Sequence, residues 1–578
     1  MTELEVSKET ETEYEILRTT MSLCPECLTQ IPCEFYVDPK NNWVMLRKTC
    51  EDHGEFKDKI SIDADDYKWH MNFTEEIGAS TGDHISTKPC EVSSGIREDA
   101  KGCPYDCGIC SNHVSAPCIC LIDVTNRCNL ACPICFANAS AKGYVVEPSY
   151  DDCIQIMEHF RSMKPTPAVM LQFAGGEPTL RDDLPDMIRA GKELGFLDTM
   201  VSTNGIRIAK SIEYLQEMAD AGLDTIYLQF DATDAPDVWK KVRGVNLWPI
   251  KQKAVENIRK VGGITLMLVP VIAKGVNDSQ VGPIMNFAKD NKDVCGGVVF
   301  QPVSLCGRIS FEELMDLRYT TSDLKVDINK STNNMIQRFY PLATSAKFTA
   351  LLAWFDDSPN WSSTSHADCG FATIGVINKD NEWESIENYV DPEGLLRWAN
   401  KVYDMVKERK VPKPTGLLGS INLANYGPIA ETVGKFIDDM TSLGYRQMMK
   451  AYFFAGMIRY IKIKRILNSK FFESLGKLVI APNMRTAGNF LLTGNMLISA
   501  MHFQDAYNFD LNRIKMCLVH YGIIDPDDPS KVREIPFCAM NTVHREKMEL
   551  AHIKKELQAE KPEVITDRIS KYVETMEK

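Results

Sequence analysis

"ICLIDVTNRCNLACPICFANAS", residues 119–140, is the stretch that decides the fold. Its first seven residues form a nearly continuous apolar run, the pattern of a strand covered on both faces. The loop after it carries Cys128, Cys132 and Cys135, spaced C-x3-C-x2-C. Three thiolates from one loop can bind three irons of a cubane [4Fe–4S] cluster and leave the fourth iron open to a small chelating molecule. A structural zinc ion is the competing reading, and it lacks a nearby fourth ligand.

Downstream of the loop the pattern alternates. "YDDCIQIMEHFRSM" has helical periodicity, and "AVMLQFAGGEPTL" is a strand ending in a glycine turn. "LPDMIRAGKELGF" (helix), "DTMVSTNGI" (strand), "SIEYLQEMADAGL" (helix) and "DTIYLQFDA" (strand) continue it through to "GGVVFQPVS". Such alternation over residues 118–310 predicts an α/β fold, βαβ units on one parallel sheet, with the active site at the carboxyl ends of the strands. Beyond residue 311 the chain reads as mostly helical, with a loop at Pro412 and Pro414, and residues 546–578 read as a charged, solvated terminal helix. Residues 1–20 read as disordered, 21–65 as a small metal module and 66–117 as a connecting region.

The chain has 578 residues and a formal net charge of −14. This acidity lacks the basic face that nucleic-acid binding requires. The polar start "TELEVSKETETEYE" has no apolar core of a secretory signal, and no run of about twenty apolar residues occurs. An anaerobic cytoplasmic setting is the resulting expectation. Cysteine is the outlier, with 19 in all, and ten of them lie between Cys24 and Cys120. An odd, clustered set in such a chain points to metal chemistry and away from a disulfide framework.

Cys24, Cys27, Cys50 and His53 form C-x2-C…C-x2-H, two knuckles suited to a mononuclear Fe or Zn site of rubredoxin-like or zinc-ribbon type. Cys103, Cys107, Cys110 and Cys118 suit an auxiliary [4Fe–4S] cluster, with zinc as the alternative metal and Cys90 or Cys120 as substitute ligands. Cys369, Cys517 and Cys538 could close a second auxiliary [4Fe–4S] cluster whose fourth ligand is open, Cys306 being one candidate; ordinary buried thiols are the alternative. Cys33, Cys153 and Cys295 read as bystanders or core. Residues 501–522 concentrate His502, Asp505, Tyr507, Asp510 and Arg513, which are catalytic candidates. Against that, Asp510 could cap a helix beginning at Leu511, and His520 could be a core residue.

The Cys128 loop directly after a strand resembles the radical S-adenosylmethionine (SAM) superfamily. On that resemblance the fold is a partial (β/α)6 barrel, and three [4Fe–4S] clusters, one mononuclear metal and SAM are the cofactors. Gly175, Gly176, Glu177 and Pro178 ("GGEP") resemble the segment that holds the SAM amino group. Ser202 and Asn204 end the strand where the family contacts the ribose and the methionyl carboxylate, and Phe136 matches the aromatic near the adenine. Gln229 and Asp231 are placed at the same cavity. The implied chemistry is one-electron cleavage of SAM to a 5′-deoxyadenosyl radical that abstracts hydrogen from an unactivated carbon.

The order of parts narrows the resemblance. CPEC…CxxHG, CPxDCGxC, GGEPTLR and YNFDLxRxxxCxxHY…IPFC together resemble the archaeal group of tetraether lipid synthase and related class D radical SAM methylases, over roughly residues 20–545. The lead expectation is coupling of the terminal carbons of phytanyl chains of archaeol-type diether lipids into tetraethers, with an auxiliary-cluster sulfide capturing the first carbon radical. An archaeal ether phospholipid would then be the substrate and a ferredoxin- or flavodoxin-type protein the electron donor. The basic, apolar stretch 451–480, with Arg459, Lys462, Lys464, Arg465 and Lys470, could meet headgroups at a membrane surface, or could be core helices with snorkelling lysines. The alternative activity is methylation of a pterin or other small molecule, which would show as a compact pocket lined by Asp, Asn and Arg. A third class, an electron-transfer or scaffold protein, has no use for a nucleoside pocket.

Overall fold

The computed structural model describes residues 14–73, 80–81, 84–85, 101–108, 113–139, 142–164, 166–304, 306, 317–356, 364–410, 442–462, 495–554 and 557–577. Its first unit is a four-stranded antiparallel sheet: β1 (Glu15–Leu23), β2 (Gln30–Asp38), β3 (Trp43–Cys50) and β4 (Gly54–Ser61), in sequential order. A small core of Phe35, Val37, Val44, Leu46 and Ile60 fills one face, closed by α1 (Ala64–Met71), whose N-cap Asp63 accepts from the amides of Asp65 and Asp66. β1 begins at Glu15, inside the stretch expected to be disordered. The correction has a tertiary cause: Arg18 and Thr20 on this strand hydrogen bond Asp510, at 2.6 and 3.0 Å, which no local pattern reveals.

The main sheet follows the predicted alternation. β5 (Ile119–Thr125), β6 (Met170–Gly175), β7 (Asp198–Thr203), β8 (Thr225–Gln229), β9 (Thr265–Val269) and β10 (Cys295–Pro302) pair in parallel, each with the next. The first crossover helix shows why the units form. In α2 (Tyr150–Ser162), Ser149 and Asp152 make a reciprocal capping box, and Cys153, Ile156, Met157 and Phe160 give one buried stripe. Outward residues of the strands, such as Cys120, Ile122, Val201 and Leu228, pack with the helices in one large core. Inward residues form a separate cluster of Met267, Val269 and Val299 with Tyr227, Leu497 and Met501. Cys120 thus belongs to the core beneath α2 and is not a substitute metal ligand.

The C-terminal region contributes helices and also strands to the same sheet. Helices α3 (Ala346–Asp356), α4 (Pro392–Lys407) and α5 (Ser442–Met457) pack on one another through Trp354, Trp398 and Phe453. β11 (Gly370–Ile377) pairs antiparallel with β12 (Asn495–Met501), and β12 runs parallel to β10. At the other edge β13 (Val519–Asp525) runs parallel to β5 and carries β14 (Asp528–Pro536) antiparallel. Along the path β11-β12-β10-β9-β8-β7-β6-β5-β13-β14, eight parallel strands run from β12 to β13 with β11 and β14 antiparallel on either side, and two short strands, Tyr340–Pro341 and Trp383–Ser385, pair antiparallel with β11. Residues 502–518 connect β12 at one side of this open barrel to β13 at the other.

The final helices are not simply solvated. Ile565 and Ile569, four residues apart, and then Val573 are buried on α7 (Pro562–Glu577), and Met548 and Arg545 are buried on α6 (Arg545–Ala551). The charged residues between them mask this stripe in the sequence. Among the described residues no helix is long and apolar enough to cross a membrane.

Candidate active site at the strand ends

The Cys128 loop is fastened to the neighbouring strand by backbone bonds. Gly176 N–H donates to the Thr125 carbonyl at 2.7 Å, and Glu177 N–H to the Arg127 carbonyl at 2.9 Å. This close approach requires glycine. A Cβ at Gly175 would collide with the Thr125 carbonyl oxygen and one at Gly176 with that of Arg127, while Gly175 also has φ of +121°. The Glu177 carboxylate faces away from solvent. It accepts from Thr179 N–H and Oγ1, Thr203 Oγ1 and the Asn204 amide at 2.8 Å, bonds that offset a pKa raised by burial. "GGEP" and "STNG" are therefore joined into one rim, and Glu177 is the joint.

Asn204 reaches the metal loop itself. Its Nδ2 donates to Asn129 Oδ1 at 2.7 Å and lies 4.0 Å from the Cys128 sulfur, while its Oδ1 accepts from Ile206 N–H. Ser202 Oγ accepts from Gln172 Nε2 at 2.7 Å on the inner face. Phe136, which is 38% exposed, leans against Phe537 at 5.8 Å between centroids. Asp231, expected at the cofactor, is wholly buried and turned elsewhere. Both its oxygens bind the Arg243 guanidinium, at 2.6 and 2.9 Å, and it also accepts from Val271 N–H and Gln229 Nε2. Arg243 in turn donates to the Ile134 carbonyl at 3.1 Å and to the Cys132 thiol, so Asp231 braces the cysteine loop through Arg243. Lys251 does the same for the rim: its Nζ donates to the Asn204 carbonyl at 2.6 Å and to Gln229 Oε1 at 2.9 Å, with its pKa lowered to about 7 by burial. Sequence reasoning missed Arg243 and Lys251. Both sit on exposed-looking amphipathic helices, and only the packing turns them inward.

Other predicted residues separate into two groups. In the first unit, ligand atoms of Cys24, Cys27, Cys50 and His53 all lie within 4.8 Å of one another, the geometry of a mononuclear site. Among the described residues no other trio of Cys, His, Asp or Glu is so close. Cys103 and Cys107 are buried together beside Ile535 and Met540; Cys110 and Cys90 lie outside the described residues.

The catalytic candidates of residues 501–513 are absorbed by structure. Asp510 caps the turn Leu511–Lys515 and holds Arg18. Asp505 binds Arg318, which also binds Asp58, at 2.9 and 2.7 Å. His502 lies 3.5 Å from Asp368, Arg513 lies 3.7 Å from it, and Tyr507 packs edge-on against Phe56. Burial would raise the pKa of Asp368, but His502, Arg513 and Arg18 hold it well below the usual carboxylate range. These groups pin the small metal unit to the barrel.

A cavity of about 300 Å³ opens where β5 and β13 diverge, against the rim glycines Gly175 and Gly176. Its apolar walls include Ile122, Ile156, Ile524 and Met548, and its polar groups include Asp123, Asn126, Tyr521, Arg545 and Glu549. Arg545 donates to Asp123 at 2.8 Å, to the Tyr521 hydroxyl at 3.1 Å and to Asn541 at 2.8 Å. Glu549 accepts from Lys142 at 2.6 Å and from Tyr144 at 3.0 Å. Glu549 belongs to the stretch read as a solvated terminal helix and Arg545 borders it; burial of the helix against the splayed strands brings them here.

Comparison with known proteins agrees with this architecture. Residues 122–288 match the model of the radical SAM superfamily, and residues 16–62 match that of the HMPTM N-terminal zinc ribbon domain. The chain belongs to the radical SAM superfamily, in a family of enzymes that carry an N-terminal zinc ribbon. Over 536 residues, 92% of this chain and 95% of the relative, it is 38% identical to the 7,8-dihydro-6-hydroxymethylpterin dimethyltransferase of Methanocaldococcus jannaschii. It is also 29% identical to the GTP 3′,8-cyclase of Limosilactobacillus fermentum, over 32% of this chain and 54% of the relative. Streptococcus suis SuiB, a solved structure, is 21% identical over 39% of this chain and 47% of its own, with a TM-score of 0.32. The first likeness overturns the lipid-coupling expectation and with it the archaeal ether phospholipid as substrate: a near full-length relative is a pterin dimethyltransferase. Motif order alone did not separate the two activities, because both share the same radical-generating parts. Of the stretch expected to meet headgroups, residues 463–480 lie outside the described residues, and Lys462 donates to the Glu387 carbonyl.

Proposed function

We propose that this chain is a radical SAM methylase acting on a dihydropterin-type small molecule. The observation that carries this reading is the 38% identity to a pterin dimethyltransferase across nearly the whole of both chains. The cavity supports it. A space of about 300 Å³ with apolar walls and polar lining groups including Asp123, Asn126 and Arg545 suits a single heterocycle better than two long alkyl chains.

Cys128, Cys132 and Cys135 would hold the [4Fe–4S] cluster, and Cys24, Cys27, Cys50 and His53 the single metal ion. When bound, the cluster and SAM supply a 5′-deoxyadenosyl radical able to take hydrogen from carbon. The chain's own residues position and insulate. Gly175 and Gly176 offer backbone at the loop, Asn204 and Ser202 present polar groups on the rim, and Gln229 is held toward it by Lys251. Arg243 fixes the loop from behind, and Phe136 with Phe537 covers its outer side against water. A ferredoxin- or flavodoxin-type protein would deliver the electron.

The test is direct. Anaerobically reconstituted protein, given SAM, a low-potential reductant and 7,8-dihydro-6-hydroxymethylpterin, should yield methylated pterin by mass spectrometry. Formation of 5′-deoxyadenosine with no methylated pterin would remove the substrate assignment and leave the SAM chemistry standing.

A further inference from the structure

The ladder between β5 and β13 ends early. Val519, His520 and Tyr521 pair with Ile119, Cys120 and Leu121, and beyond that point the two strands part. Asp123 follows two residues after Leu121, a carboxylate inside the otherwise apolar run "ICLIDV", and it borders the cavity that the parting opens. Several polar groups around this cavity are engaged with one another. Asn126 accepts from Val146 N–H at 2.8 Å and donates to the Tyr144 carbonyl at 3.0 Å. Glu549 accepts from Lys142 and Tyr144 through one oxygen and from Arg545 through the other. Arg545 directs the rest of its fork to Asn541, Asp123 and Tyr521.

Two groups keep hydrogen-bonding capacity that nothing among the described residues uses. Arg545 holds Asp123 by Oδ2 alone; Oδ1 makes no hydrogen bond there, and the side chain is 22% exposed. The Tyr521 hydroxyl accepts from Arg545 Nη2 at 3.1 Å and from Asn541 Nδ2 at 3.4 Å, so its lone pairs are filled while its proton has no acceptor. One acceptor and one donor are thus fixed by the same guanidinium. We propose that Asp123 Oδ1 and the Tyr521 hydroxyl read the 2-amino-4-oxopyrimidine edge of the substrate ring, Asp123 accepting from the amino group and the adjacent ring N–H, Tyr521 donating to the carbonyl oxygen. This inference rests on the dihydropterin reading above and names the groups that select the ring. The pyrimidine half of guanine carries the same edge. A buried acceptor and donor left without partners cost free energy until a ligand satisfies both. A ring with a carbonyl in place of the 2-amino group sets an oxygen against the carboxylate and is rejected. Arg545 acts through Asp123 and Tyr521 and is a positioning residue.

The test is equilibrium dialysis on the full-length protein, reconstituted anaerobically, with SAM present. The probes are 7,8-dihydro-6-hydroxymethylpterin, its analogue with a 2-carbonyl in place of the 2-amino group, and guanosine. The unaltered protein should hold the pterin about tenfold or more tighter than the 2-carbonyl analogue; equal affinity would overturn the proposal without any variant. Asp123→Asn is nearly isosteric and reverses the edge, because Arg545 takes the amide oxygen and the NH2 is left toward the cavity. It should weaken the pterin by about tenfold or more and tighten the 2-carbonyl analogue. Equal loss of both ligands would make Asp123 a structural residue and overturn the assignment. Tyr521→Phe should weaken both ligands, since both keep the 4-carbonyl; unchanged affinity would sink the assignment. The two readings fail separately. Pterin binding that ignores Asp123→Asn ends this inference and leaves the proposed function standing. Guanosine bound in place of the pterin, and lost in Asp123→Asn, upholds the reading of the edge and ends the pterin as substrate. Binding of none of the probes ends both.

Discussion

Two regions of this molecule are dense in buried charge, and they differ in what the charge encloses. Between the zinc ribbon and the barrel, Arg18 pairs with Asp510, and Arg318 with both Asp58 and Asp505, all of them largely buried. At the splay of β5 and β13, Asp123, Arg545 and Glu549 pair just as closely but border a cavity of about 300 Å³. The first arrangement orients two units; the second can bind. Density of polar residues in the sequence signals burial of charge, and it takes accessible volume to turn that into a site.

The contrast can be broken by substitution. The largest effect is expected at the cysteine loop: Cys128→Ala should reduce 5′-deoxyadenosine formation to background while the ribbon keeps its metal, measured by chromatography and metal analysis. Next comes the closed ion lattice. Arg318→Met strands Asp58 and Asp505 in a dry interior and should cost about 3–5 kcal/mol of stability, read by denaturant unfolding. Arg545→Met should behave oppositely, because Asp123 can be rehydrated through the cavity. We expect roughly a tenfold to hundredfold fall in methyl transfer with a stability loss of about 1–2 kcal/mol. If Arg318→Met were stable but inactive and Arg545→Met unfolded but active while folded, the two regions would have to exchange roles.

A smaller effect sharpens the lattice side. His70 is a buried residue of α1, with its pKa lowered to about 4 by burial and by Lys325. A histidine held neutral in the folded state binds fewer protons than the unfolded chain between pH 6.5 and 4. Its contribution is therefore full above pH 6.5 and is lost as pH falls through that window, on the order of 3 kcal/mol. Thermal unfolding of His70→Gln should show a shallower acid slope than the unaltered protein; parallel slopes would exclude this residue. The smallest effect is the control. Arg189→Ala, which breaks an exposed pair with Asp186, should change stability by less than about 0.5 kcal/mol.

The barrel was readable because its signals are local. Apolar runs of strand length, capping residues such as Ser149 and the glycines after β6 each act within a few positions. The C-x2-C…C-x2-H spacing of the ribbon and the C-x3-C-x2-C spacing of the Cys128 loop were readable for the same reason. The functions of Asp231 and of His502 to Arg513 were not. Their partners are Arg243, Arg318, Asp368 and Arg18, up to 492 positions away, and a carboxylate on a strand end looks the same in sequence whether it faces a ligand or a guanidinium. Arg545 was hidden differently, in a stretch so charged that its few apolar residues gave no visible stripe.

By itself, then, the sequence determined a radical SAM barrel and the cysteine loops that serve it, because periodicity and spacing are properties of neighbouring residues. Only the tertiary structure decided which charged groups became a mortar between units and which came to border a cavity. Burial and pairing depend on which strands become neighbours, and in this chain the sheet's edges are built from segments some 400 residues apart in sequence, Ile119–Thr125 with Val519–Asp525.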